Sequence, residues 1–177
     1  MRPLGLGWPN VISIVRILLA PVLVVLVLPG SDGAAAVAAA VFVFGALTDG
    51  LDGYLARRYA GTTALGQWLD PLADKILVTA PVVALAATGR FPVWAVAVIV
   101  LREFAVSALR GWLGTRGVSM PASPWGKAKT AVQMVLVPLY LLPLGADADP
   151  WRLAILWVAV VLTVWSGLDY FWKAASR

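Results

Sequence analysis

The sequence predicts an all-α fold: a polytopic membrane protein of about six transmembrane helices with both termini cytoplasmic, forming a single domain over residues 1–177. Three observations predict it. Hydrophobic residues make up 61% of the 177 and charged residues 13%, against ~45–50% and ~25% in an average soluble domain. Apolar stretches recur near 11–28, 33–48, 76–89, 91–101, 131–144 and 153–168, and each is long enough, or extends far enough, for the ~20 residues of a spanning helix. Lysine and arginine are unevenly shared between the two sides such helices would define.

The elements follow in order. The first helix, about 10–28, is apolar apart from Arg16 and ends at Pro29-Gly30, a turn dipeptide. The second, about 34–58, starts in the Ala-rich stretch after Gly33 and runs into Arg57 and Arg58. A short connection leads to the third, about 66–88, which stops at Gly89 before Phe91-Pro92. The fourth covers about 91–113, the fifth about 126–144, and the sixth, after the loop Gly145–Pro150, about 152–174. Barrel strands would instead alternate over ~10 residues. Six helices of ~20 residues occupy ~120 positions and leave short loops and tails.

Arg2, Arg16, Arg57, Arg58, Lys75, Arg102, Arg110, Arg116, Lys127, Lys129, Lys173 and Arg177 fall on one side, and only Arg90 and Arg152 on the other. Positive charge marks the cytoplasmic side, so both ends and any site near those cations should face the cytoplasm. The net charge of +5 then reflects topology and anionic lipid, not nucleic acid. Trp8, Trp112, Trp125, Trp151 and Trp172 sit near helix ends, as interfacial anchors do. Arg16 ahead of Ile17–Leu28 also resembles a signal peptide. The Ala-rich sequence that follows continues into another membrane helix, which favours a retained first helix.

There is no His and no Cys. This excludes imidazole bases, serine–histidine triads, thiol nucleophiles and thiolate metal sites, and leaves carboxylates, Lys, Tyr and backbone oxygens. Of the nine acidic residues, Asp49, Asp52, Asp70 and Asp74 fall within one short segment. Asp49, Asp52 and Ala56 share a helical face, and Gly66, Asp70 and Asp74 form a stripe at i, i+4, i+8. The short connection Arg58–Leu65 makes the two helices antiparallel neighbours whose carboxylates converge. Converging carboxylates repel, so either some take up protons or a cation neutralises them. All-oxygen ligation selects a hard ion, Mg²⁺ first and Mn²⁺ second, and four carboxylates can hold two ions ~3.5–4 Å apart. The plainer reading is a cytoplasmic hairpin whose carboxylates are countered by Arg57 and Arg58. Gly53, Ala56 and Gly66 equally serve close helix packing or the approach of a diphosphate to the backbone.

Together, Asp49, Asp52, Gly53, Ala56, Arg57, Gly66, Asp70 and Asp74 fit the pattern D-x2-D-G-x2-A-R-x8-G-x3-D-x3-D at all eight specified positions. This resembles the CDP-alcohol phosphatidyltransferase family, and the helix count and chain length agree along the whole chain. The resemblance implies a reaction in which an acceptor hydroxyl attacks the lipid-bearing phosphorus of a CDP-linked lipid and CMP leaves. It implies that Asp49, Asp52, Asp70 and Asp74 bind two divalent ions and that Asp74 is also the general base. Asp52, Gly53, Ala56, Arg57, Thr63 and Gly66 would contact CDP-diacylglycerol. The stretch Pro9-Asn10-Val11-Ile12-Ser13 resembles the family's nucleotide-contacting segment, with Ser13 where many relatives carry Thr; Asn10 could equally cap the first helix. Homodimerisation is expected from the same resemblance.

The second half carries cations suited to a phosphorylated acceptor: Arg102, Arg110, Lys127 and Lys129 near the cytoplasmic ends of two helices, with Lys129 and Gln133 on one face. The positive-inside rule alone also places Lys and Arg there, and Arg102, Glu103 and Arg110 could form a structural ion pair. Leu101–Arg110, Trp125–Gln133 and Leu162–Tyr170 resemble the branch of the family whose acceptor is sn-glycerol 3-phosphate. On that resemblance Arg102, Arg110, Lys127 and Lys129 cradle the acceptor phosphate. Two rivals stand beside it. One is the same chemistry with phosphatidylglycerol or an inositol phosphate as acceptor. The other is a cation transporter, which would use intramembrane carboxylates near mid-bilayer.

Overall fold

The computed structural model describes residues 8–59, 64–118, 120, 121 and 123–176, and side chains at all of these except 8–10, 49–59 and 64–70. Every regular element among the described residues is helical: α1 (Trp8–Val27), α2 (Asp32–Tyr59), α3 (Ala64–Ala87), α4 (Val93–Thr115), α5 (Pro124–Leu141) and α6 (Asp149–Ala175), with a 3-10 turn (Ala146–Ala148) leading into α6. The six helices lie where the apolar stretches predict them, shifted by a few residues at their ends. Gly30 and Gly89 take φ of +73° and +74°, the left-handed conformation that glycine adopts without a Cβ clash. That is why the chain reverses after α1 and after α3. Asn10 lies inside α1, so it is not that helix's cap.

Among the described residues α1 packs most extensively against α3 and then against α2, and α6 against α5 and α4. α2 and α3 are the pair expected to converge across residues 49–70, whose side chains lie outside the described residues. The two helices also meet at Gly45, where an added Cβ would lie 3.3 Å from Leu19 Cδ1 and from both δ carbons of Leu77. Gly45→Val pushes two further methyls into this three-helix junction. We expect it to cost about 1–3 kcal/mol, lowering the melting temperature in detergent by roughly 2–12 °C. An unchanged melt would show that the junction is not tightly packed.

The main apolar core joins all six helices: Leu23 and Val27 of α1, Phe42 of α2, Leu77, Val82 and Leu85 of α3, Ala95 and Ile99 of α4, Leu136 and Leu141 of α5, Leu156 and Ala159 of α6. Two arginines close this half of the bundle. Arg90 Nη2 donates to the Val27 carbonyl at 2.6 Å. Arg152 donates to the carbonyls of Leu139 (3.2 Å), Leu142 (2.9 Å) and Leu144 (3.3 Å) and pairs with Asp149. Both thus meet carbonyls that a helix C-terminus leaves without intrahelical donors, at the negative end of its dipole.

Many large apolar side chains are exposed, among them Leu18, Val25, Leu101, Phe104, Trp157 and Trp172. Ala146–Ala175 is long and apolar enough, by length and composition, to cross a membrane.

Candidate active site

α1 and α3 build the first part of the site. Arg16 sits in an apolar run, and an arginine there needs a partner. Its Nη1 donates to Asp74 Oδ1 at 2.5 Å. The Arg16 side chain is buried, whereas that of Asp74 is 49% exposed, so a buried guanidinium holds a half-exposed carboxylate. Ser13, three residues before Arg16 on α1, is buried as well. Among the predicted metal ligands, the side chains of Asp49, Asp52 and Asp70 lie outside the described residues. So do those of Asn10, Gly53, Ala56, Arg57 and Gly66, and Thr63 altogether. What is described at these positions is backbone: α2 is continuous through Asp49 and Asp52, and α3 through Gly66, Asp70 and Asp74. The helical registers on which the spacing argument depends are therefore present.

Asp74 opens onto a cavity of about 540 Å³ bounded by α2 to α6. Arg102, Arg110, Lys127 and Lys129, the four cations picked out in the sequence, all border it, as do Lys75, Glu103, Gln133 and Tyr170. Residues more than 50 positions apart in sequence are thus brought to one space, with a carboxylate on the α3 wall and cations on the α4 and α5 walls. The four cations are not equivalent. Glu103 accepts from Arg102 Nη1 at 3.2 Å and from Lys129 Nζ. All three side chains are largely buried, at 13% exposure for Glu103, 11% for Arg102 and 5% for Lys129. Among the described residues, then, the ion pair of Glu103 is with Arg102 and Lys129 and not with Arg110. Arg110 and Lys127 are exposed.

α6 supplies the floor under Arg102. Its guanidinium carbon lies 5.7 Å from the centre of the Tyr170 ring, within cation–π range. Gly167 leaves room for the arginine stem, since a Cβ there would come 3.3 Å from Arg102 Cγ. The Tyr170 hydroxyl is itself anchored, accepting from the Ser123 backbone N–H at 2.9 Å, and Ser123 Oγ accepts from Gly126 N at 3.2 Å to start α5. One aromatic ring therefore ties the start of α5 to the arginine on α4. Arg102 Nε and Nη2 are buried with no hydrogen-bond partner among the described residues. They form one edge of the guanidinium, the fork geometry that matches a phosphate or carboxylate.

Sequence reasoning missed Arg16 as the partner of Asp74, Tyr170 as the rest for Arg102, and Glu103 as the link to Lys129. Arg16 carried a signal, a lone cation in an apolar helix. The other two require knowing which helices meet.

A carboxylate facing a cluster of cations across a cavity in an apolar helical bundle defines a site for an anionic substrate. The profile of the CDP-alcohol phosphatidyltransferase family matches residues 6–165, and the chain belongs to that family. It is similar to the CDP-diacylglycerol–glycerol-3-phosphate 3-phosphatidyltransferase of Bacillus subtilis, 38% identical over 180 residues and 93% of each chain. It is similar to the protein of that name in Pseudomonas fluorescens, 39% identical over 176 residues, 92% of this chain and 87% of that one. It also resembles the probable phosphatidylglycerophosphate synthase of Mycobacterium tuberculosis, 36% identical over 168 residues, 93% of this chain and 80% of that one.

Proposed function

We propose that this protein transfers the phosphatidyl group of CDP-diacylglycerol to sn-glycerol 3-phosphate, giving phosphatidylglycerophosphate and CMP. The observation that carries the reading is the cavity that Asp74 borders on one wall and Arg102, Arg110, Lys127 and Lys129 border on the others, in a chain whose relatives are named for this reaction. In the reaction an acceptor hydroxyl oxygen bonds to the lipid-bearing phosphorus, the bond from that phosphorus to the CMP oxygen breaks, and Asp74 takes the hydroxyl proton. Arg16 holds the Asp74 carboxylate in place. Arg102, Arg110, Lys127 and Lys129 hold the acceptor phosphate, with the fork edge of Arg102 suited to two of its oxygens. Asn10, Ser13, Asp52, Gly53, Ala56, Arg57, Thr63 and Gly66 contact CDP-diacylglycerol.

Asp49, Asp52, Asp70 and Asp74 are an all-oxygen donor set that fits a hard divalent cation. Two Mg²⁺ or Mn²⁺ ions held there supply charge neutralisation to the diphosphate. In this reading the six helices span the cytoplasmic membrane, the site and both termini face the cytoplasm, and the protein works as a homodimer in the bilayer. The diacylglycerol tails stay in lipid while the cytidine head and the acceptor enter from water.

The test is CMP release by the purified protein from CDP-diacylglycerol with sn-glycerol 3-phosphate, phosphatidylglycerol or an inositol phosphate as acceptor. Turnover with sn-glycerol 3-phosphate is expected, to be abolished by EDTA and restored by Mg²⁺ or Mn²⁺. Release with one of the other acceptors alone would overturn the acceptor assignment. Metal flux through liposomes without CMP release would favour a transporter.

A further inference from the structure

We infer that Gln133 is a specificity-determining residue that reads the free secondary hydroxyl of the acceptor. This rests on sn-glycerol 3-phosphate being the acceptor. That molecule brings three polar groups into the cavity: the attacking hydroxyl at C1, the phosphate at C3 and a hydroxyl at C2 that takes no part in the chemistry. The C2 hydroxyl both donates and accepts, and burying it without a partner is costly, so some group on the wall must meet it.

The described side chains around the cavity leave few choices. Thr79 Oγ1 donates to the Lys75 carbonyl at 2.7 Å, Ser107 Oγ to the Glu103 carbonyl at 2.7 Å and Thr130 Oγ1 to the Gly126 carbonyl at 3.1 Å. These hydroxyls spend their donors on the helices that carry them. The Tyr170 hydroxyl is engaged with Ser123 N and the Pro121 carbonyl. Gln133 differs. It borders the same cavity, its side chain is almost wholly buried at 2% exposure, and its Nε2 has no hydrogen-bond partner among the described residues.

A buried amide left without a partner weakens a fold, so its presence in this wall calls for a ligand group that completes it. A neutral amide suits a hydroxyl better than a phosphate, which the neighbouring Arg102 fork and the lysines match by charge. A half-turn about χ3 exchanges the amide oxygen and nitrogen, so the same side chain can donate to the hydroxyl or accept from it. Gln133 lies one helical turn after Lys129 on α5, so a phosphate beside Lys129 places the carbon chain of the acceptor toward Gln133.

The test compares two acceptors in one preparation: sn-glycerol 3-phosphate and 3-hydroxypropyl phosphate, which lacks only the C2 hydroxyl. Wild type should prefer the first by roughly 10- to 100-fold in kcat/KM, the size expected for one buried hydrogen bond left unmade. Gln133→Met, which keeps the length and removes the amide, should bring the preference to within about threefold while the KM for CDP-diacylglycerol stays near wild type. A ratio does not depend on how much of the sample is folded, and Gln133→Glu, which keeps the shape and loses the donor, carries the same test should the Met variant not accumulate. A preference retained in both variants overturns the assignment and makes Gln133 structural, as does a wild type that accepts both alcohols equally. A wild type that releases CMP with neither of them fails earlier, because it removes the acceptor reading itself.

Discussion

Asp74→Asn should lower CMP release by at least about 10³-fold and leave the helical content unchanged. The substitution keeps the size of the side chain and one oxygen that can still accept from Arg16. What it removes is the negative charge and the ability to take a proton. A positioned general base contributes about 10²–10⁴-fold, and in the proposed site the same carboxylate is also a metal ligand, so the two losses fall on one residue. The fold should persist but melt earlier, because Arg16 is buried and loses a charged partner. The drop should be smaller than for Glu103→Gln, since one buried cation is affected instead of two and the Asp74 side is 49% exposed. The measurement is initial-rate CMP release at saturating substrates, with circular dichroism and a melt on the same sample. Activity above a tenth of wild type would remove Asp74 from the chemistry, whatever happened to stability.

How far such a residue can be read from sequence depends on what kind of neighbour it needs. Helices were legible because each apolar run carries its own length, and turns because Pro29-Gly30 and Gly89 mark places where the backbone must leave the helical region. Asp74 was legible because its spacing to Gly66 and Asp70 is a property of one helix. Arg102, Arg110, Lys127 and Lys129 could be picked out as cations at helix ends, but nothing local distinguishes a cation that binds a ligand from one that obeys the positive-inside rule. The difference lies in tertiary pairing. Glu103 is next to Arg102 in sequence but 26 residues from Lys129, and only the α4–α5 arrangement shows that it holds both. The adjacency of α2 and α3 that a short loop implies rests on residues 49–70, whose side chains lie outside the described residues; among the described residues α1 provides the larger packing surface for each.

Glu103→Gln should have the largest effect on stability of any single change at the site, a loss of about 3–5 kcal/mol. At 2–4 °C per kcal/mol for a chain of this size, the melting temperature falls by roughly 6–20 °C. The reason is an imbalance of charge in a dry place. Arg102 and Lys129 are both largely buried, and Glu103 is the acid to which both donate. Removing one partner of a buried ionic cluster costs far more than the cluster contributes as a whole, because the remaining charges keep their desolvation penalty and lose its compensation. The argument also fixes the sign of a double-variant experiment. Adding Lys129→Met to Glu103→Gln removes one of the two stranded charges, so the double variant should melt above the single variant despite carrying one more mutation. Non-additivity in that direction is the signature of a shared network. Catalysis should not recover with it, because in the proposed site Lys129 holds the acceptor phosphate, and the KM for sn-glycerol 3-phosphate should rise in both variants. A double variant less stable than Glu103→Gln would mean that Lys129 is stabilised by something other than Glu103, and the positively charged wall of the cavity would then need a different account.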